Sequence, residues 1–350
     1  MPRGGTPVID WVLAERIARY VAGSGDDRLP SSDLVALAEE SERRVTAYTG
    51  LEPERPLPTP EGIGRREWVR TNLGSMRLLL DPVLKRADTR LGPLRPAVQI
   101  GVGLMLSTEI GVVVGYLAQR VLGQYELVLL DEAVEDRPPR LLFVLPNLGQ
   151  AMNAFGAEER EFMTWVTLHE VTHAVQFAGV PWLHGHLASL VRELLRTAEL
   201  RLENQRRLRV PSGDEVKRVV AALRHGDLVS VVASPSERET LERVQAAMAV
   251  IEGHAEHVMD AVAPDLLPSL PKLREALDRR RRSQSMLSRL VGRLLGLELK
   301  LRQYEQGKRF CDAIVRGAGT DALRVVFTSP ETLPTIKELD DPSAWIARTM

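Results

Sequence analysis

The sequence predicts a mainly helical protein of the α+β class, a helical bundle with one small β-sheet. Apolar residues recur every three or four positions along most of the chain, which is the helical period. Stretches rich in Pro and Gly separate the helical segments. Two short β-like runs, at 125–130 and 140–145, lie near the middle. A composition with 44% hydrophobic and 27% charged residues is typical of a globular protein and excludes wholesale disorder.

The elements follow in a simple order. Three helical segments come first, then a long apolar helix, and after the β-like runs the helical pattern resumes at residue 157 and continues to about residue 317. The early segments and the apolar helix cover 10–22, 32–48, 65–86 and 97–122. A loop is predicted at 51–64, and the Pro-punctuated tail from residue 325 is expected to wrap the surface.

The net charge and the cysteine content exclude some kinds of protein. The formal net charge of −1 argues against a dedicated nucleic-acid-binding protein, which is usually strongly basic. The single cysteine, Cys311, excludes an intramolecular disulfide framework and is expected to be a small core residue. A zinc site would therefore be built from His and carboxylates. The first residues show no apolar signal segment, so we expect a cytoplasmic protein.

The apolar segment 97–118 is long enough to cross a membrane. Glu109 lies near its middle, however, where a carboxylate is costly in lipid. We therefore predict a buried helix and no membrane span. Gly111 and Gly115 would allow another helix to pack closely against it.

The most informative motif is the pentapeptide HEVTH, which begins at His169 and ends at His173. It continues an apolar stripe of a predicted helix that Gly179 and Pro181 end. Two imidazoles one helical turn apart can bind a single zinc ion. Glu170, next to the first histidine, can then take a proton from a water that the zinc activates.

A catalytic zinc site needs a third protein ligand. The extended form of the motif, with Gly and then a third His, is missing because Gln176 and Gly179 occupy those positions. A second segment must therefore donate the ligand. The best is a predicted helix at 234–262, where Ser234 and Glu237 form a capping box.

Two carboxylates, Glu252 and Glu256, share an otherwise apolar face of this second helix. We predict Glu252 as the third ligand and Glu256 as an outer partner of a ligand histidine. The alternative ligands are His184 and His186, which follow the first helix closely. Two more histidines of the second helix point away from the carboxylate face, His254 fully and His257 less so.

Four segments together resemble a known family. They are HEVTHAVQFAGVPWL at 169–183, IEGHAEHVMDAV at 251–262, QYEQGKRFCDAIV at 303–315 and SPETLPTIKELDDPSAWI at 329–346. The chain resembles the actinobacterial zincin-like metallopeptidase type 2 family from about residue 10 to residue 348. That family is often labelled as associated with coenzyme F420 biosynthesis, but no residue of this sequence indicates a deazaflavin site.

The resemblance implies a zincin-like fold with the small sheet beside the motif helix. It also implies a zinc ion held by His169, His173 and Glu252, with Glu170 as the general base. Tyr304 and Arg309 lie in the C-terminal match. Zincins commonly stabilise the oxyanion with a Tyr, His or Arg, but each of these two residues taken alone is more typical of a helix surface.

The expected organisation is an N-terminal helical region at 1–95 packed on a zincin-like core at 96–350. Because His173 and Glu252 are far apart in sequence, a helical insertion at about 187–232 is expected within the core. We predict that these parts form one continuous structural unit. The run 140–147 could be a sheet edge that pairs with a peptide, or a plain buried strand.

These observations predict a zinc-dependent hydrolase, most simply a peptidase acting on a peptide or protein. The alternative is a scaffold or binding protein that keeps the fold without catalysis. The position of Glu170 favours the enzyme, because a purely structural zinc site would not need that carboxylate.

Overall fold

The computed structural model describes residues 9–25, 30–91, 96–126, 138–204, 235–267, 275 and 297–350. Helices dominate these residues, and one small sheet accompanies them, as predicted. The helices up to the motif region are α1 (Trp11–Ala22), α2 (Leu34–Thr49), α3 (Arg65–Leu91), α4 (Pro96–Ala118), α5 (Leu145–Phe155), α6 (Glu159–Gly179) and α7 (Pro181–Asn204). The later helices are α8 (Pro235–Val262), α9 (Leu297–Ala318), α10 (Asp321–Val326), α11 (Ile336–Asp340) and α12 (Pro342–Thr349).

The chain divides into two compact units that alternate along the sequence. Unit 1 comprises Met1–Val35, Pro58–Val166 and Leu195–Arg207. Unit 2 comprises Ala36–Leu57, Thr167–Leu194 and Leu208–Met350. The predicted regions 1–95 and 96–350 and the insertion at 187–232 stay predictions, and much of that insertion lies outside the described residues.

The sheet of unit 1 has three strands, β1 (Pro60–Ile63), β2 (Gly123–Glu126) and β3 (Arg140–Val144), in the order β1-β3-β2. β3 pairs in parallel with β1 and antiparallel with β2, and its Leu141, Leu142 and Phe143 are buried. Of the two possibilities for the run 140–147, the central position of β3 excludes a sheet edge and agrees with a buried strand. β1 lies within the segment 51–64, for which the sequence predicted a loop. The Pro and the Gly of β1 are more typical of a loop than of a strand, and the prediction followed them.

Helices α1 and α4 pack closely in unit 1 at the two glycines that the sequence singled out. A methyl group at Gly111 would come within 2.7 Å of the Ala14 carbonyl oxygen, and one at Gly115 within 2.6 Å of the Ala18 carbonyl oxygen. Only glycine permits this approach. Among the described residues, no helix, α4 included, is long and apolar enough to span a membrane.

Helices α8 and α9 cross in unit 2 with their backbones in contact. A Cβ atom at Gly307 would overlap the carbonyl group of Ala249, and one at Gly253 would overlap the backbone of Gly307. Gly253 follows Glu252 directly, so this crossing holds the carboxylate-bearing turn of α8 against α9. Two of the segments that carry the family resemblance, 251–262 and 303–315, are therefore in contact through Gly253 and Gly307.

The C-terminal tail forms short helices and contributes to the core of unit 2, although the sequence suggested a surface wrap. Trp345 of α12 is fully buried and packs edge-on against Phe310 of α9, with ring centroids 5.5 Å apart. The Trp345 indole donates a hydrogen bond to the Thr332 carbonyl at 2.7 Å. Burial of an aromatic pair and a satisfied indole N–H anchor the tail.

Candidate metal centre

Helix α6 carries the two histidines of the motif in its C-terminal half. This helix ends at Gly179, as predicted, and Pro181 begins α7. The half that follows Thr167 lies in unit 2 and is buried nearly all round. His173 is buried, whereas His169 is half-buried. Both imidazoles are therefore held on a rigid element inside the protein.

Helix α8 brings Glu252 to this histidine pair. The Glu252 Oε2 atom lies 3.6 Å from His173 Nε2 and 3.9 Å from His169 Nε2. The two Nε2 atoms are 3.3 Å apart, with the rings nearly perpendicular. The residues His169, His173 and Glu252 are hereafter the ligand cluster.

The ligand cluster has the dimensions of a zinc shell. Ligands about 2.0–2.2 Å from a tetrahedral zinc ion lie about 3.3–3.6 Å from one another. Two of the three separations fall in that range and the third exceeds it by 0.3 Å. Two imidazole nitrogens and a carboxylate are also a donor set that zinc prefers. The residues present therefore fit a zinc ion.

The electrostatics of the ligand cluster indicate a place for positive charge. Burial lowers the pKa of His169 to about 4, and the neighbouring His173 adds to that effect. Burial also lowers the pKa of His173, but its contacts with Glu252 and the charge of Glu170 together outweigh burial and raise it to about 9. A proton on His173 thus balances the negative charge of Glu252 and Glu170, and a metal cation could take the place of that proton.

Glu170 lies in the same turn of α6 and is buried, with 8% of the residue exposed. Its charge contributes to the raised pKa of His173, and it follows His169 directly on α6. Glu170 is not one of the three groups whose ligand atoms converge. A buried carboxylate beside a metal site and outside its ligand set is suited to accept a proton.

The outer nitrogens of the two histidines have other partners. His173 Nδ1 lies 2.9 Å from Gln176 Oε1, and His169 Nδ1 lies 3.2 Å from the Met259 sulfur. At His173, Gln176 thus has the role that the sequence suggested for Glu256. Glu256 is half-buried on α8, and its part in the site stays a prediction.

Known proteins resemble this chain along nearly its whole length. The family of zincin-like metallopeptidases matches residues 9–346, nearly the whole chain. The chain belongs to this family. A crystal structure of a candidate hydrolase with a novel fold from Chloroflexus aurantiacus is also similar, with a TM-score of 0.69 and 30% sequence identity. That match covers 97% of this chain and 98% of the other. No curated protein matches the sequence.

The alternative ligands of this zincin-like protein lie elsewhere. His184 and His186 are half-buried on α7, and His186 packs edge-on against Trp182. Neither belongs to the group of convergent ligand atoms found among the described residues. His254 is buried and accepts a hydrogen bond at Nδ1 from Gln176 Nε2 at 2.8 Å, so it packs in the interior of unit 2.

The two residues suggested for oxyanion stabilisation remain predictions. The side chain of Tyr304 lies outside the described residues. Arg309 is exposed on α9, and its Nε donates to the Glu305 carbonyl at 3.3 Å. Cys311, in contrast, is fully buried, and burial raises the pKa of its thiol, in agreement with the core role expected for it.

A second polar cluster, which the sequence did not indicate, joins three helices of unit 2. The Tyr48 hydroxyl of α2 lies 2.8 Å from His257 Nε2, and His257 Nδ1 lies 2.7 Å from Asp312 Oδ1. Lys308 contacts Asp312 at 2.7 Å and Asp260 at 3.0 Å. We call these five residues the tyrosine cluster. No spacing in the sequence links residue 48 to residues 257 and 312, so only the fold brings them together.

Proposed function

We propose that the protein is a zinc-dependent peptidase in which His169, His173 and Glu252 hold the metal and Glu170 is the general base. The convergence of three ligand atoms within 4.8 Å of one another carries this proposal. Membership of the zincin-like metallopeptidase family supports it independently. The similarity to a candidate hydrolase is consistent with the same reaction class.

Zinc bound at such a site would supply Lewis acidity, which polarises a carbonyl group and lowers the pKa of water. The chain's own residues complete the chemistry. The Glu170 carboxylate accepts a proton from the attacking water and returns it to the departing amine. Because Glu170 is buried on a rigid helix, its carboxylate is positioned before the substrate arrives.

The decisive experiment separates metal binding from catalysis. Glu170→Gln keeps the size of the side chain but removes the base. We expect this variant to keep its zinc and to lose peptidase activity by at least about 10²–10⁴-fold, the usual contribution of a general acid–base group. Glu161→Gln, near the start of the same helix, is the matched control and should retain full activity.

The assay is a digest of a broad peptide library by wild-type protein, both variants and chelated protein, with zinc content measured in parallel. Activity that survives in Glu170→Gln would contradict the proposed role of that residue. Zinc-loaded wild-type protein that cleaves no peptide would favour the scaffold alternative or a substrate of another class.

A further inference from the structure

We propose that Gln176 is a positioning residue that fixes the proton on the outer nitrogen of His173 and so leaves the inner nitrogen free for a metal. This inference rests on the proposed zinc site. Gln176 follows His173 by three residues on α6, which places both side chains on the same side of the helix. Gln176 is fully buried, so solvent does not compete for its amide.

The orientation of the Gln176 amide is determined by a backbone carbonyl. Gln176 Nε2 lies 2.9 Å from the carbonyl oxygen of Ile251, the residue before Glu252. A carbonyl oxygen only accepts hydrogen bonds, so the amide nitrogen must face it. The Gln176 Oε1 atom consequently faces His173 Nδ1, at 2.9 Å.

The same logic fixes the tautomer of His173. Because Gln176 Oε1 only accepts, His173 Nδ1 must donate. In the neutral imidazole the lone pair is then on Nε2, the atom 3.3 Å from His169 Nε2 and 3.6 Å from Glu252 Oε2. Outer partners of this kind usually set the tautomer and orientation of a metal-binding histidine.

A second buried histidine completes the chain of hydrogen bonds. The remaining N–H of the Gln176 amide points to His254 Nδ1 at 2.8 Å, so that nitrogen accepts and His254 Nε2 carries the proton. His254 Nε2 is buried without a hydrogen-bond partner among the described residues. An unsatisfied buried donor costs about 1–3 kcal/mol, so an apolar side chain would pack there at lower cost. We therefore infer that the function of the histidine at position 254 is to accept the hydrogen bond from Gln176 at Nδ1.

The first test measures zinc affinity by competition with a chelator. Gln176→Met keeps the volume but removes both hydrogen-bonding groups, and we expect it to weaken zinc binding by about 10–100-fold. Gln176→Glu retains the acceptor for His173 but loses the donor to the Ile251 carbonyl, so it should bind zinc more tightly than Gln176→Met. Thr172→Val, another buried polar-to-apolar change on α6, is the control and should leave the affinity unchanged.

The second test reads the tautomer of His254 in the metal-free protein by long-range ¹H–¹⁵N NMR correlation. We expect the Nε2–H form in wild type and a switch to Nδ1–H in Gln176→Glu, because a carboxylate has no proton to donate. An Nδ1–H form in wild type, or zinc affinity of Gln176→Met within about threefold of wild type, would overturn the positioning role alone. Failure of wild-type protein to bind zinc would overturn the proposed function and this role with it.

Discussion

Helix α8 contributes to two polar clusters that balance their charges in different ways. In the ligand cluster, the inner nitrogens of two histidines face each other at 3.3 Å beside a carboxylate. In the tyrosine cluster, each ring nitrogen of His257 has its own protein partner, a phenol on one side and a carboxylate on the other. Lys308 supplies the positive charge there.

The two clusters occupy different sides of the helix. A helix turns about 100° per residue, so Glu252 and His257 point about 140° apart. Acceptors that converge on one another need a proton or a metal cation between them, whereas a chain of donors and acceptors with its own lysine does not. The comparison predicts that the number of buried histidines says little about metal binding. The direction of their lone pairs is the informative property.

The strongest test of this difference is the loss of one carboxylate from the ligand cluster. Glu252→Gln removes the anionic ligand while keeping its shape. We expect zinc affinity to fall by more than the 10–100-fold typical of outer-shell changes. His257→Ala is the control from the tyrosine cluster and should retain zinc. Equal losses in the two variants, measured by chelator competition, would show that the clusters do not differ as described.

A smaller effect is expected where the backbones of α8 and α9 cross, next to Glu252 of the ligand cluster and Lys308 of the tyrosine cluster. Gly307→Ala would place a methyl group against the Ala249 carbonyl. The atoms in contact at this crossing are backbone atoms of both helices, so neither helix can shift easily to make room for the methyl group. We expect a loss of about 1–3 kcal/mol in the free energy of unfolding, together with weaker zinc binding. Urea denaturation and chelator competition would measure the two effects.

Gly185 of α7 provides the control for that substitution. It has open space around its Cβ position, so Gly185→Ala should stabilise the protein by up to about 1 kcal/mol. If Gly307→Ala were as stable as wild type, the close crossing of α8 and α9 would be contradicted.

The smallest effect concerns the carboxylate of the tyrosine cluster. Burial raises the pKa of Asp312, but hydrogen bonds from His257 and Lys308 outweigh burial and hold it below its usual value. A lowered pKa in the folded state stabilises the protein above the unfolded value of about 3.9. That stabilisation disappears as the pH falls through the folded-state pKa.

Asp312→Asn should therefore lower the free energy of unfolding by about 1–2 kcal/mol at pH 7. We expect the lower part of that range, because a third of the Asp312 side chain is exposed to solvent. The difference from wild type should be smaller at pH 3 than at pH 7, because the stabilisation starts to fall below the unfolded-state pKa. Urea denaturation of both proteins at the two pH values measures it. An unchanged difference at pH 3 would indicate a packing effect and not a charge effect.

The candidate site could be predicted in part because its residues follow local rules. The helical period and the Gly179–Pro181 stop place His169 and His173 one turn apart on one helix. The same period groups Glu252 with Met259, which contacts His169. These patterns depend only on neighbours within a few turns, and a helix preserves them wherever it packs.

Other features of the fold and of the site depend on contacts between segments that are far apart in the sequence. β1 has a Pro and a Gly among its four residues, and it is a strand because Pro60–Ile63 pairs with the buried β3. Gln176 is a plain amide in the sequence, and only the Ile251 carbonyl of another helix gives it an orientation. Tyr48 reaches a histidine more than two hundred residues away.

The sequence by itself therefore determined that the protein is mainly helical, which side chains share a face of α6 and of α8, and where α6 ends. Tertiary structure alone decided which faces meet, which strand is central and which donor faces which acceptor. The physical reason is the range of the interactions involved. Helical periodicity and helix stops act over a few residues, whereas hydrogen-bond direction and backbone crossing exist only between elements that the fold has already brought together.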